Sequence, residues 1–481
     1  MLHPLLIAMV AILLVGESFS GVPIVRGLSA WEVALYSLAP MALVGALSHL
    51  ALWRIGGALD RRGDGRALGL ADAVISVSRV GILAAFAGAV IVAGWFEAVR
   101  GVIGNVVGLD EALAMAPPVA VLAWVWWAYA PIDRRVREAS VYSRLDGGER
   151  VEAIPTRWEF VWDHMRHGVL VVLVPIFLLV SWAEVIERVL DLPESPGETM
   201  TRDEVVAVVL QLGGVVAVLS CAPLLLRFLW STRPLGAGAM RDRLMGLCKA
   251  HGVRCAELLV WRSRTGMLNG AMVGVLPWLR YVLLTDALLE RLSAEQVEAV
   301  MAHEVGHARR HHLPWMLGSI IASVGVFWVG ADWLARSMDE RGLIAQGIAA
   351  WLGVGLTVAG IVVGVLVFGV VSRRFELQAD AFAAQHLSGM HRGGGNDGRP
   401  VTDEAVYAMA GAIGVVALYN HIPRRKFTYR HGSILGRQRA LERLVGERVY
   451  GLAIDRKVRV IKLLTIVGLL AIGVMGYFSW R

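Results

Sequence analysis

Long apolar runs alternate with short, arginine-bearing loops along most of this chain. A helix needs about 20 predominantly apolar residues to cross ~30 Å of hydrocarbon. By that measure nine segments qualify, near residues 3–23, 33–53, 74–96, 112–132, 168–187, 205–226, 313–331, 343–371 and 463–480. The first is the shortest: its apolar stretch from Leu5 to Val15 is followed by Glu17. It reads as a span, with a signal peptide as the alternative, although no positive region precedes it. The third carries Arg79, which must snorkel or pair inside a helix bundle.

The arginines set an orientation. Arg54, Arg61, Arg62 and Arg66 lie in the 54–71 loop, and Arg134, Arg135, Arg137, Arg144, Arg150, Arg157 and Arg166 in the 133–167 loop. The intervening loops hold only Arg100, and Arg188 with Arg202. Arginine-rich loops stay cytoplasmic. Nine spans then alternate with the N-terminus inside and the C-terminus outside, and the long polar segments 229–312 and 372–462 both face the cytoplasm. The expected organisation is a six-span region over 1–228, a first part of a polar domain over 229–312, a membrane hairpin over 313–371, the second part of that domain over 372–462, and a final span over 463–481. The glycine-rich stretch from His391 to Pro400 reads as a loop.

Composition agrees with the hydropathy pattern. Of 481 residues, 56% are hydrophobic and only 18% charged, which excludes a disordered chain and an ordinary soluble enzyme. The net charge of +7 reads as topology and contact with anionic lipid. No basic stripe is interleaved with aromatics, so nucleic acid is not an expected partner. Cys221, Cys248 and Cys255 form neither a disulfide framework nor a CxxC zinc site.

The strongest chemical signal is His303-Glu304-Val305-Gly306-His307. It closes a helical pattern that opens at Ser293, with Gln296 completing a capping box. On a helix, His303 and His307 share one face and can reach one zinc ion, while Glu304 beside them has the placement of a general base. A catalytic zinc takes three protein ligands and keeps one open position. His311 continues the i, i+4 series, but one ion cannot be gripped from three successive turns of a straight helix. The HExxHxxGxxH arrangement is excluded by Arg310 and Leu313. His311 and His312 read instead as interfacial residues before the seventh span. Glu376, with Asp380 one turn later, is the better third ligand, and Asp380 can accept the outer N–H of a ligand histidine. Both ligand helices run straight out of neighbouring spans, so the metal sits near the cytoplasmic membrane surface.

Taken together, these motifs resemble the membrane-embedded gluzincin metallopeptidases that include HtpX and the type I CAAX prenyl proteases. The resemblance covers about residues 238–445. Its elements come in the family order: Asn269-Gly270-Ala271, Leu284-Thr285-Asp286-Ala287-Leu288-Leu289, the HEVGH helix, the hairpin, Ser372-Arg373-Arg374-Phe375-Glu376-Leu377-Gln378-Ala379-Asp380, and Tyr429-Arg430-His431 with Arg437 six residues on. It implies a predominantly α, polytopic helical membrane protein with a zincin-like α+β protease domain carrying a small edge-strand sheet. It implies one Zn2+ held by His303, His307 and Glu376, with Asp380 behind the ligands. His431 would stabilise the tetrahedral intermediate and Arg437 would buttress the site. Asn269, Gly270 and Ala271 would form an edge strand that holds substrate backbone, as exposed strand edges do. Two positions depart from the family pattern. Gly432 replaces a proline after the histidine, which is expected to loosen that turn, and Gly270 interrupts the Asn-Ala pair.

The activity implied is a zinc metalloendopeptidase in a bacterial cytoplasmic membrane, acting on protein or peptide substrates associated with the bilayer. Two rivals stay open. One is a regulatory protease whose N-terminal spans sense a signal. The other is a scaffold or transport protein with a relict site, to which Arg79 and Pro175 inside spans would belong.

Overall fold

The computed structural model describes residues 2–18, 28–62, 66–146, 153–191, 202–262, 266–339, 341, 349–390 and 398–479. The chain forms two compact units, Met1–Trp230 and Ser231–Arg481. It is a polytopic helical membrane protein with one small sheet.

Among the described residues, the regular elements of the first unit are all helices: α1 (Leu2–Ser18), α2 (Ala30–Arg62), α3 (Arg66–Ala87), α4 (Trp95–Ile103), α5 (Leu109–Asp146), α6 (Arg157–His164), α7 (Val171–Leu190) and α8 (Arg202–Leu229). Leu6, Met9 and Leu13 of α1 are buried against Ile82, Phe86 and Phe160. Ser48 and Ser78 hydrogen-bond across α2 and α3 at 2.7 Å, which satisfies both hydroxyls away from water. Arg79 Nε is buried with no hydrogen-bond partner among the described residues.

Among the described residues, seven helices are long and apolar enough to cross a membrane, five of them in this unit. They run beyond the expected apolar cores, for example Ala30–Arg61 against 33–53, because the helices continue into their polar flanks. Of the nine expected segments, the first is an apolar helix at Pro4–Leu14, shorter than a span. Residues 343–348 of the eighth lie outside the described residues, as do 391–397 of the glycine-rich stretch.

The second unit holds β1 (Thr232–Pro234), α9 (Ala239–Ala250), β2 (Glu257–Trp261), β3 (Gly270–Val273), β4 (Tyr281–Thr285), α10 (Asp286–Arg291), α11 (Ala294–Arg309), α12 (His312–Asp339), α13 (Ala349–Leu387), α14 (Asp403–Tyr419), α15 (Ile434–Glu442) and α16 (Ala453–Ser479). The sheet order is β1-β2-β4-β3, with β2 and β4 parallel and both outer strands antiparallel to their neighbours. β3 is therefore an edge. Leu258, Val282 and Leu284 of the sheet meet Val297, Met301 and Val305 of α11, Phe382 of α13 and Met409 of α14 in one apolar core. At Gly306 an added Cβ would lie 3.1 Å from Phe382, so this glycine lets α13 close on α11.

Candidate metal centre

Three elements build the site. α11 starts at the expected capping box: Ser293 Oγ accepts from Gln296 N, and Gln296 Oε1 accepts from Ser293 N. α11 delivers His303, Glu304 and His307. α13 emerges from the hairpin as one 39-residue helix and delivers Glu376 and Asp380. The turn before α15 delivers His431, and α15 itself Arg437.

Ligand atoms of His303, His307 and Glu376 all lie within 4.8 Å of one another. The two Nε2 atoms are 3.1 Å apart. Glu376 Oε2 is 3.8 Å from His303 Nε2, and Oε1 is 3.7 Å from His307 Nε2. A tetrahedral ion with bonds of ~2 Å would set its ligand atoms roughly 3.3 Å apart. The donor set of two imidazoles and a carboxylate fits zinc in type and spacing.

Behind the ligands, His303 Nδ1 lies 2.8 Å from Asp380 Oδ1. This leaves Nε2 for the metal, the placement expected for Asp380. Arg437 donates to both Asp380 oxygens, Nε to Oδ2 at 2.8 Å and Nη2 to Oδ1 at 2.6 Å. Its Nη1 is 3.4 Å from Glu376 Oε2. His431 is half exposed, with Nδ1 3.1 Å from Glu376 Oε2. His303, His307, Glu376, Asp380, His431 and Arg437 are thus each within 4 Å of another of the six. His311 is not: it is exposed, with a left-handed φ of 54° at the corner between α11 and α12.

The charges follow from these contacts. Burial opposes ionisation of Glu376, but the His431 hydrogen bond, His303 and Arg437 outweigh it and hold the carboxyl well below its usual range. Burial likewise works against charge on His303, and Asp380 overcomes it, so its pKa lies above the ordinary imidazole value. Burial and then the neighbouring His303 push His307 well below. Burial raises the pKa of Glu304.

Met272, Thr428, Ser372 and Arg373 were not legible as functional. Glu304 Oε2 accepts the Met272 N–H of β3 at 3.0 Å. Ala271 and Val273 alternate with Gly270 and Met272 along an antiparallel edge, so Met272 turns its backbone groups away from β4. Asn269 extends the pairing, accepting from Thr285 N at 2.9 Å. At Gly270 a Cβ would meet Val300 Cγ1 at 2.9 Å, so glycine lets the edge strand approach α11. The Gly432 turn is tight rather than loose. Gly432 has φ +75°, Gly432 N donates to Thr428 O at 2.8 Å, and Thr428 N donates to Gly432 O at 3.0 Å. Proline could supply neither that φ nor the N–H. Ser372 Oγ donates to Arg430 O at 3.1 Å and Arg373 Nη1 to Tyr429 O at 2.9 Å, which pins the His431 turn to α13.

Residues 259–396 match the family described as Peptidase family M48. The matched segment contains β3, the HEVGH helix, Glu376 and Asp380; His431 and Arg437 lie beyond it. A protein named Protease HtpX homolog from Archaeoglobus fulgidus is 35% identical over 104 residues, 21% of this chain and 29% of that protein. Another of the same name from Bacteroides fragilis is 29% identical over 147 residues, 29% of this chain and 45% of that protein. The chain thus matches less than half the length of these relatives. A crystal structure of S. mikatae Ste24p aligns over 85% of this chain and 98% of that chain, at 13% identity and a TM-score of 0.37. The matched segment includes His303, His307 and Glu376, the three residues whose ligand atoms converge.

Proposed function

We propose that this chain is a zinc-dependent membrane metalloendopeptidase that cleaves membrane or membrane-associated proteins at the cytoplasmic face. The observation that carries the reading is the convergence of His303, His307 and Glu376 with Glu304 on the adjoining turn. The named relatives are proteases, which supports hydrolysis of peptide bonds.

His303, His307 and Glu376 would hold the zinc, one ion per chain. When bound, zinc supplies Lewis acidity toward a carbonyl and a water. Glu304 takes a proton from the attacking water and passes it to the leaving amine. His431 would offer a ring N–H to a developing oxyanion, a contact worth about 10²–10³ in rate; because Nδ1 faces Glu376, donation from Nε2 requires a proton on both ring nitrogens. Asp380 and Arg437 hold the ligand side chains in place. β3 offers the outward backbone groups of Gly270 and the Met272 carbonyl to an extended peptide, the Met272 N–H being taken by Glu304. A complete ligand set with its supporting residues weighs against a relict site.

The test has two parts. Elemental analysis of purified protein should give about one zinc in wild type and none in Glu376→Ala. Glu304→Gln should keep the zinc and lose cleavage of a membrane-anchored test substrate. Full activity in Glu304→Gln would sink the mechanism.

A further inference from the structure

His312 opens α12 and is only 3% exposed, although its position in the sequence suggests a membrane-surface residue. The left-handed φ of His311 turns the chain sharply between the two helices. His312 is thereby folded back beneath the centre, where its ring stacks on Phe375 at 4.3 Å and 7°. Its Nδ1 is 2.8 Å from Nδ1 of His307, and its Nε2 is 2.9 Å from Gln378 Oε1. Gln378 Nε2 in turn donates to Asp455 Oδ1 at 2.6 Å, and Arg310 lies 3.4 Å from the same oxygen.

The proton positions along this chain can be read from one end. An ionised Asp455 only accepts, so the amide nitrogen of Gln378 must face it. That turns Oε1 of Gln378 to His312. An amide oxygen only accepts, so His312 Nε2 carries a proton and donates. The neutral ring then presents a bare Nδ1. His307 Nδ1 must be the donor across the 2.8 Å contact, and its Nε2 is left bare, facing His303 and Glu376.

We infer that His312 is a positioning residue for the metal: through the chain Asp455–Gln378–His312 it fixes the tautomer and ring orientation of His307, so that Nε2 is the ligand atom. This rests on the zinc reading above. It gives His307 the kind of outer partner that Asp380 gives His303, built from neutral groups instead of a carboxylate.

The test uses the full chain in detergent. Zinc affinity is measured by competition with a chromophoric chelator at fixed pH, and melting of the zinc-free protein is followed in parallel. His312→Phe keeps a flat ring against Phe375 and removes the acceptor. His312→Asn places an amide oxygen near the position of Nδ1. His312→Phe should bind zinc about 10–100-fold more weakly. His312→Asn should recover most of that loss, and the zinc-free melting temperatures should stay close to wild type. Unchanged zinc affinity in His312→Phe overturns the inference. So does a loss that His312→Asn fails to recover and that tracks a lower zinc-free melting temperature, which would assign a packing role. A wild type that binds no zinc would instead overturn the metal reading itself.

Discussion

Arg437 grips both oxygens of Asp380, in a fork that only a guanidinium can make, and reaches Glu376 with its third nitrogen. Asp380 is 1% exposed and Glu376 5%, so this one cation balances two buried carboxylates. Arg437→Met should destabilise the domain by about 3–5 kcal/mol, because it leaves buried charge unpaired. Arg437→Lys should fall between, having one point of contact in place of a fork. Thermal unfolding in detergent checks the order wild type, Lys, Met.

The Gly432 turn supplies a second prediction. Gly432→Ala should cost about 1–2 kcal/mol through its positive φ. Gly432→Pro should cost more, since it also deletes the N–H that reaches Thr428. Cleavage assays should show the damage in kcat, since His431 is displaced while the edge strand is intact. Equal activity of the proline variant and wild type would disprove this account of the turn.

Gly270 tests the edge strand. Gly270→Val would collide with Val300 and push β3 away from α11, parting Met272 from Glu304. Peptide cleavage should fall while zinc content stays near one per chain. Adding Val300→Ala should restore part of the activity, because the space for the new side chain is then returned.

Glu298 offers a pH signature away from the metal. The hydrogen bond from His386, with Arg243 beside it, holds its carboxyl below the ordinary value of 4.5. A depressed carboxylate contributes stability that is complete above the unfolded pKa and is lost as pH falls through the folded one. Glu298→Gln should therefore lower stability at neutral pH by about 1 kcal/mol, a figure kept small because water screens the half-exposed Arg243. The difference between variant and wild type should vanish on acidification below the folded pKa. A gap that stays constant across that range would refute the charge-based account.

What the sequence disclosed at this site was local. His303, Glu304 and His307 are readable because helical spacing places them on one face, and Glu376 with Asp380 follow by the same period. Arg437 and His431 could be proposed only by resemblance, since they meet α13 from 57 and 55 positions away. His312 was misplaced because its fate depends on one backbone angle at His311 and on Gln378, 66 residues further on. Gly432 was misjudged because glycine was read as freedom, whereas here it supplies a required φ and an N–H. The apolar helices were legible throughout. Their ends were not, because helical hydrogen bonding continues past the point where hydrophobicity stops.

The unbroken helix α13 has a consequence for selectivity. Glu376 lies five residues past Val371, the end of the 29-residue charge-free run, about 7 Å of helix rise, and His307 lies five residues before the start of α12. If these apolar runs cross a bilayer, the ligands are mounted at a fixed height above it, since α13 is a single helix over Ala349–Leu387. In the membrane protease proposed above, this mounting would work as a ruler: the bond cut would be chosen by how far it stands from the substrate's own membrane anchor, more than by which side chains flank it.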